Sequence, residues 1–200
     1  MSLTGDTRAQ RNDIIRSLLE RLDRHSPAEK GHAERVAVYA VATGEELGLK
    51  DESLLNLRYA AMLHDVGKIS VDAGLLRKVG SLTDEEMNAL RLHSMIASSV
   101  LESFAWLRPC LADIRHHHER WDGHGYPDGL SGLDIPIGAR IINLAEAFDV
   151  MVTGPIRDPW TEKAALEEVQ HCTGSQFDPH VAEAFMRVQP LIQPVSTDLK

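Results

Sequence analysis

Histidine stands out among the residues able to do chemistry in this chain: there are ten, more than Phe (four) and Tyr (three) together. An imidazole serves as a metal ligand, a proton shuttle or a half-buried polar group. Position along the chain separates these roles. His32 precedes Val36 by four and shares a helical stripe with Val36, Ala40 and Thr43. His93 lies between Leu90 and Ala97 at i, i+3, i+7 spacing, and His118 follows Ile114 by four with His117 beside it. His64 is followed directly by Asp65. Each histidine taken alone reads as a core residue with satisfied ring nitrogens. Five of them with a carboxylate in one small helical chain read differently, because inward imidazoles and carboxylates are how helical bundles build dinuclear metal sites. That donor set suits Fe, Mn, Zn, Ni or Co, and the two cysteines do not supply a thiolate cage. Asp65 has two oxygens with which to bridge two ions. Such a pair, about 3.5–4 Å apart, activates water and clamps a phosphoryl group.

Amphipathic helices must position these groups. Ile14, Ile15, Leu18, Leu19 and Leu22 predict a first helix that ends before Pro27, and Val36, Ala40, Thr43 and Leu47 a second that stops near Gly48. Leu54, Leu57 and Ala61 lead a third into His64-Asp65. Residues 66–82 read as a loop. Thr83-Asp84-Glu85-Glu86 reads as a capping box, and Met87 to Leu101 continues at helical spacing. Leu107, Leu111 and Ile114 predict a helix running to His118. The Gly- and Pro-rich stretch from Glu119 to Pro136 is a long loop of functional type. Ile137 to Met151 resumes a helix, with shorter ones at 161–172 and 179–188. The expectation is an all-α fold of about eight helices: an N-terminal helix or extension over 1–29, a single helical bundle over 30–188, and a frayed tail over 189–200.

Composition excludes other classes. Hydrophobic residues make up 43% and charged residues 26%, a globular balance. No apolar run approaches the ~20 residues of a membrane helix, and Met1 to Arg11 has no apolar core of a signal peptide. Two cysteines, Cys110 and Cys172, point to a reduced, cytoplasmic protein. A formal net charge of −9 argues against DNA, RNA or an anionic membrane as partner.

The segment Ala60-Ala61-Met62-Leu63-His64-Asp65-Val66-Gly67-Lys68-Ile69 resembles the core of the HD superfamily of metal-dependent phosphohydrolases. His117-His118-Glu119-Arg120-Trp121-Asp122-Gly123-His124-Gly125-Tyr126-Pro127 is similar to the signature of the HD-GYP subfamily, and Gly129-Leu130 and Ile135-Pro136 follow as they do there. Leu76 to Thr83, His93 and Phe177-Asp178-Pro179 match as well, so the resemblance covers residues 30–187. HD-GYP domains are bacterial phosphodiesterases that hydrolyse cyclic di-GMP to pGpG and, in some members, GMP. They hold two or three metal ions, often iron, in an all-helical core. Carried over, the resemblance implies His32, His64, Asp65, His93, His117 and His118 as metal ligands, with Glu146 where the family usually has Asp. Asp149 matches a second family Asp that is not a ligand. Three-metal members carry Glu four residues before the first His. Here that position is Ala28, with Glu29 a helical step round, so two divalent ions are expected. An arginine-rich family stretch is replaced by Gly154-Pro155-Ile156-Arg157-Asp158-Pro159, which keeps only Arg157.

The implied chemistry is in-line attack on phosphorus by a metal-activated bridging hydroxide, opposite the leaving 3′ oxygen. Asp65 and Lys68 are the expected catalytic groups. Lys68, Tyr126 (through its hydroxyl or a ring face) and Arg157 are the expected substrate contacts. Lys68 also reads as a simple helix-end cation, Tyr126-Pro127 as a turn, and Trp121 as a loop anchor. Two alternatives remain. One is an HD hydrolase of another phosphorylated nucleotide. The other is a weakly active module that binds metal and cyclic di-GMP and signals through a protein partner.

Overall fold

The computed structural model describes residues 7–27, 29–154 and 158–192, and these form an all-α bundle with no strand among them. Helix α1 (Arg8–His25) starts at a Thr7/Gln10 capping box, and α2 (Glu29–Glu46) follows after a tight turn. α2 lies centrally, against α1, α3 (Asp51–Leu63), α8 (Ile137–Thr153) and α10 (Pro179–Val188). Small residues on its inner face, Ala33, Ala37 and Ala40, let these helices approach. Tyr59, Phe148 and Phe185 fill the core, and Phe148 and Phe185 meet edge-to-face at 5.0 Å. α1 contributes buried Ile15, Leu19 and Leu22 to this core, and His25 Nε2 lies 2.7 Å from the Val71 carbonyl oxygen. No helix among the described residues is long and apolar enough to cross a membrane.

Three stretches differ from the sequence expectation, and each difference bears on the site. Residues 66–82 are not all loop: a 3-10 turn (Val66–Ser70) and the single-turn α4 (Ala73–Leu76) lie within them. Gly67 is buried in that turn, and any Cβ there would overlap the His93 carbonyl. Glycine is therefore required for close approach to α6. The run from Met87 to Leu101 is two helices, α5 (Asp84–Arg91) and α6 (His93–Leu101), broken at Leu92. α5 begins at the expected Thr83/Glu86 capping box. The stretch 107–118 is also divided. Pro109 has no N–H to donate, and a 3-10 segment (Ala105–Cys110) precedes α7 (Leu111–His116), which stops before His117.

The loop from Glu119 to Pro136 is pinned. Trp121 and Asp122 donate their N–H groups to the carbonyls of Gln176 and Ser175, and Asp128 N–H donates to the buried Glu119 carboxylate at 2.7 Å. Arg140 lies over the Trp121 ring and pairs with Asp178, whose other oxygen caps α10. Trp121 is thus a loop anchor. α9 (Glu162–His171) closes the bundle, and a 3-10 turn (Gln189–Leu191) follows α10 with Gln189 buried.

Candidate metal centre

Five elements converge on one point. His32 comes from α2, His64 and Asp65 from the end of α3, His93 from the start of α6, His117 and His118 from the turn after α7, and Glu146 from α8. These are all seven residues expected as ligands. They form two groups of four, Asp65-His93-His117-His118 and His32-His64-Asp65-Glu146, each with its ligand atoms within 4.8 Å of one another. Asp65 belongs to both. Its Oδ2 lies 3.1 Å from His64 Nε2 and 3.9 Å from His32 Nε2, while its Oδ1 lies 3.3 Å from His93 Nε2. Each oxygen of one carboxylate serves a different group.

The backbone sets the ring orientations. Nδ1–H of His64, His93 and His117 donates to the carbonyl three residues earlier (Ala61, Leu90 and Ile114), each at 2.7 Å. His32 Nδ1 donates to Asp149 Oδ2 at 2.7 Å, and Arg35 forks onto the same carboxylate at 2.6 and 2.9 Å. Outer partners of this kind fix which ring nitrogen faces a metal. Every one of these Nε2 atoms therefore points inward.

That arrangement fits a cation. His93 Nε2 lies 3.4 Å from His117 Nε2 and 3.2 Å from His118 Nε2. With Nδ1 already donating, neutral His93 and His117 bring lone pair against lone pair. Asp65 Oδ1 is buried without a hydrogen-bond partner, and His64 Nε2 has only a poorly aligned Asp65 Oδ2 beside it, a costly state for polar atoms that a metal ion relieves. Burial and then the neighbouring histidines hold His117 and His118 well below the usual imidazole range, so both are neutral donors. Burial resists charge on His64, but the adjacent Asp65 outweighs it and raises the ring to about 9. A proton there offsets the buried carboxylates of Asp65 and Glu146. Burial also resists ionisation of Asp65, yet Lys68, His64 and His93 hold its carboxyl well below the usual range. Burial, then repulsion by Asp65, pushes Glu146 up. His64, Asp65 and His117 are sealed, whereas His32, His118 and Glu146 keep 13–20% of their side-chain surface, which marks the open face.

The expected substrate contacts fare differently. Lys68 Nζ sits 2.7 Å from Asp65 Oδ2 and 3.2 Å from Glu29 Oε1, on the open face rather than simply at a helix end. Glu29 is thereby held by Lys68 and belongs to neither ligand group, while Ala28 lies outside the described residues. Tyr126 stacks on His118 at 4.7 Å and 28°, and the Arg91 guanidinium lies over its ring at 5.2 Å. With the ring engaged by His118 and Arg91, its hydroxyl edge is left for a ligand. Burial pushes that hydroxyl above its usual value, so it remains a donor. Arg157 lies outside the described residues. A third group, His116-Glu119-Asp128, sits beside the loop, but the Arg115 fork already neutralises Asp128.

The HD domain family model matches residues 16–181. The chain belongs to the HD domain family. Relatives carry the HD-GYP resemblance further. A cyclic di-GMP phosphodiesterase response regulator, RpfG of Xanthomonas campestris pv. campestris, is 37% identical over 167 residues, covering 81% of this chain and 44% of its own. The 3′3′-cGAMP-specific phosphodiesterase 2 of Vibrio cholerae is 31% identical over 189 residues, covering 93% of this chain and 36% of its own. The chain thus spans less than half the length of these curated relatives. Among solved structures, a cyclic GMP-AMP specific phosphodiesterase of V. cholerae superposes with a TM-score of 0.70 at 20% identity, over 89% of this chain and 48% of that one. It shares the fold.

Several residues of this HD domain escape sequence reasoning. Arg35 reaches the site only through Asp149. Asn143 donates to the His117 carbonyl at 2.8 Å and is buried. The spacing of Asn143, Glu146 and Asp149 on α8 was a usable signal for that inner face. Nothing local marked Arg91.

Proposed function

We propose that this HD domain is a metal-dependent phosphodiesterase that hydrolyses cyclic di-GMP to pGpG. The observation that carries this reading is the pair of four-residue donor groups sharing Asp65. Two divalent ions would be held there, by His32, His64, Asp65 and Glu146 and by Asp65, His93, His117 and His118. The HD-GYP resemblance implies iron, and imidazole with carboxylate also suits manganese, nickel, cobalt or zinc. When bound, such a pair supplies an activated water and neutralises charge developing at phosphorus. Asp65 holds both halves of the site in register. Lys68 keeps that carboxylate ionised and, on the open face, offers its ammonium to a phosphate oxygen. The Tyr126 hydroxyl donates to the ligand, and Arg157 is assigned a phosphate contact. The names of the relatives support a cyclic dinucleotide as substrate. The two free thiols fit a reduced cytoplasmic setting.

The test is turnover with metal content. Protein reconstituted anaerobically with Fe(II) or Mn(II) is expected to hold two ions per chain by elemental analysis. It should cleave cyclic di-GMP and leave unrelated nucleotides intact. 3′3′-cGAMP belongs in the same panel, given the second relative. A two-metal protein that cleaves no cyclic dinucleotide overturns the reading.

A further inference from the structure

A cyclic dinucleotide carries two phosphodiesters, and a single metal centre acts on one at a time. The other must be matched by a cation, since it lies close to a site whose own side chains include Asp65 and Glu146. Most cations near the centre are committed. Lys68, held between Asp65 and Glu29 beside the metal centre, is assigned to the reacting phosphate, Arg35 is forked on Asp149, and Arg115 is forked on Asp128.

Arg91 differs. It is exposed at the end of α5, and its guanidinium makes no ion pair among the described residues. The guanidinium lies 5.2 Å over the Tyr126 ring, and that ring stacks on His118. The exposed Arg91 guanidinium, the phenol and the His118 imidazole thus stand in contact between solvent and the metal centre. The ring attracts the guanidinium, whose N–H edges make no ion pair among the described residues. Those edges match a phosphate in fork geometry. The break at Leu92 produces this placement. It aims His93 into the centre and Arg91, two residues earlier, over Tyr126 on the open face.

We propose that Arg91 binds the second, non-reacting phosphate of the cyclic dinucleotide. This rests on the phosphodiesterase reading above. Arg91 thereby selects a two-phosphate ring over a simple phosphodiester.

Steady-state kinetics of Arg91→Ala and Arg91→Lys on Mn(II)-loaded protein test this, with cyclic di-GMP and bis(p-nitrophenyl) phosphate as substrates. α5 buries no residue, so neither change should disturb the fold. For Arg91→Ala, KM for cyclic di-GMP is expected to rise about tenfold with kcat changing less than about threefold, the size of one lost charge-assisted phosphate contact. The preference for cyclic di-GMP over bis(p-nitrophenyl) phosphate, as a ratio of kcat/KM, should fall by a similar factor. Arg91→Lys should recover part of the loss. A KM within about twofold of the parent overturns the proposal. So does an equal loss on both substrates, which would mean that Arg91 only supports Tyr126 and His118. If the parent cleaves no cyclic dinucleotide, the phosphodiesterase reading has failed. Calorimetric binding of uncleaved cyclic di-GMP then judges Arg91 alone. A Kd about tenfold weaker in Arg91→Ala supports it, while equal binding, or none to the parent, overturns it.

Discussion

Asp149 touches no other member of the donor groups except His32, yet it governs how His32 can act. Its Oδ2 takes the His32 Nδ1 proton at 2.7 Å, which turns Nε2 toward Asp65, and Arg35 locks the carboxylate in place. Burial disfavours charge on Asp149, but His32 and Arg35 hold its carboxyl below the usual value, so it acts as an anion. Asp149→Asn keeps the shape and removes the charge. Metal affinity is expected to fall about tenfold or more in a chelator competition, as for other outer partners of metal-bound histidines. Unchanged affinity would show that His32 needs no such support. At this scale His64 and Asp65 were legible from their adjacency. His32, His93, His117 and His118 were legible from stripe positions. Glu146 was reached only through the family resemblance, since a carboxylate on an amphipathic helix otherwise reads as surface.

The helices work by how they end. His64, His93 and His117 each lie just beyond a helix C-terminus, where a carbonyl is free to accept a ring N–H. The α7–α8 junction uses the same rule with a carboxylate. Asp113 faces the backbone N–H groups of Gly138 and Ala139 at the start of α8, and a Cβ on Gly138 would overlap it. Burial nonetheless pushes Asp113 up to about 6. The folded chain then keeps a proton that the unfolded chain has lost between about pH 4 and pH 6. Stability from this group is therefore present below pH 4 and is lost as pH rises through 6. Asp113→Asn should raise stability at pH 7.5 by up to about 2 kcal/mol in urea unfolding, with the gain gone at pH 4. A gain of the same size at both pH values would contradict the assignment. The breaks at Leu92 and Pro109 were not resolved by periodicity, because the apolar spacing continues through each of them.

Across the whole molecule, the two donor groups should load metal with different proton balances. His64, raised to about 9, must shed a proton before its Nε2 can bind, whereas His117 and His118 are already neutral. Titration calorimetry in buffers of different ionisation enthalpy should show about one more proton released per two ions at pH 7.5 than at about pH 10, the proton lost by a metal-bound water being common to both. Equal release at the two pH values would refute this asymmetry. The first helix also belongs to the unit that holds the site. A chain beginning at residue 29 loses buried Ile15, Leu19 and Leu22. At ~1.5–3 kcal/mol for each, that loss approaches the entire stability of a small domain. Such a chain should be largely unfolded or aggregated, and a urea midpoint equal to that of the full chain would show α1 to be dispensable.

The sequence by itself determined the class of fold and six candidate ligands, because helix periodicity and motif spacing are local properties, and the family resemblance added Glu146. Only the tertiary structure decided that the seven divide into two groups around one shared carboxylate. It also decided that Lys68 faces Asp65 and Glu29, and that the Tyr126 ring meets both His118 and Arg91. Residues more than a hundred positions apart, such as His32 and Asp149, meet only when α2 packs on α8. No local pattern encodes a contact made by packing.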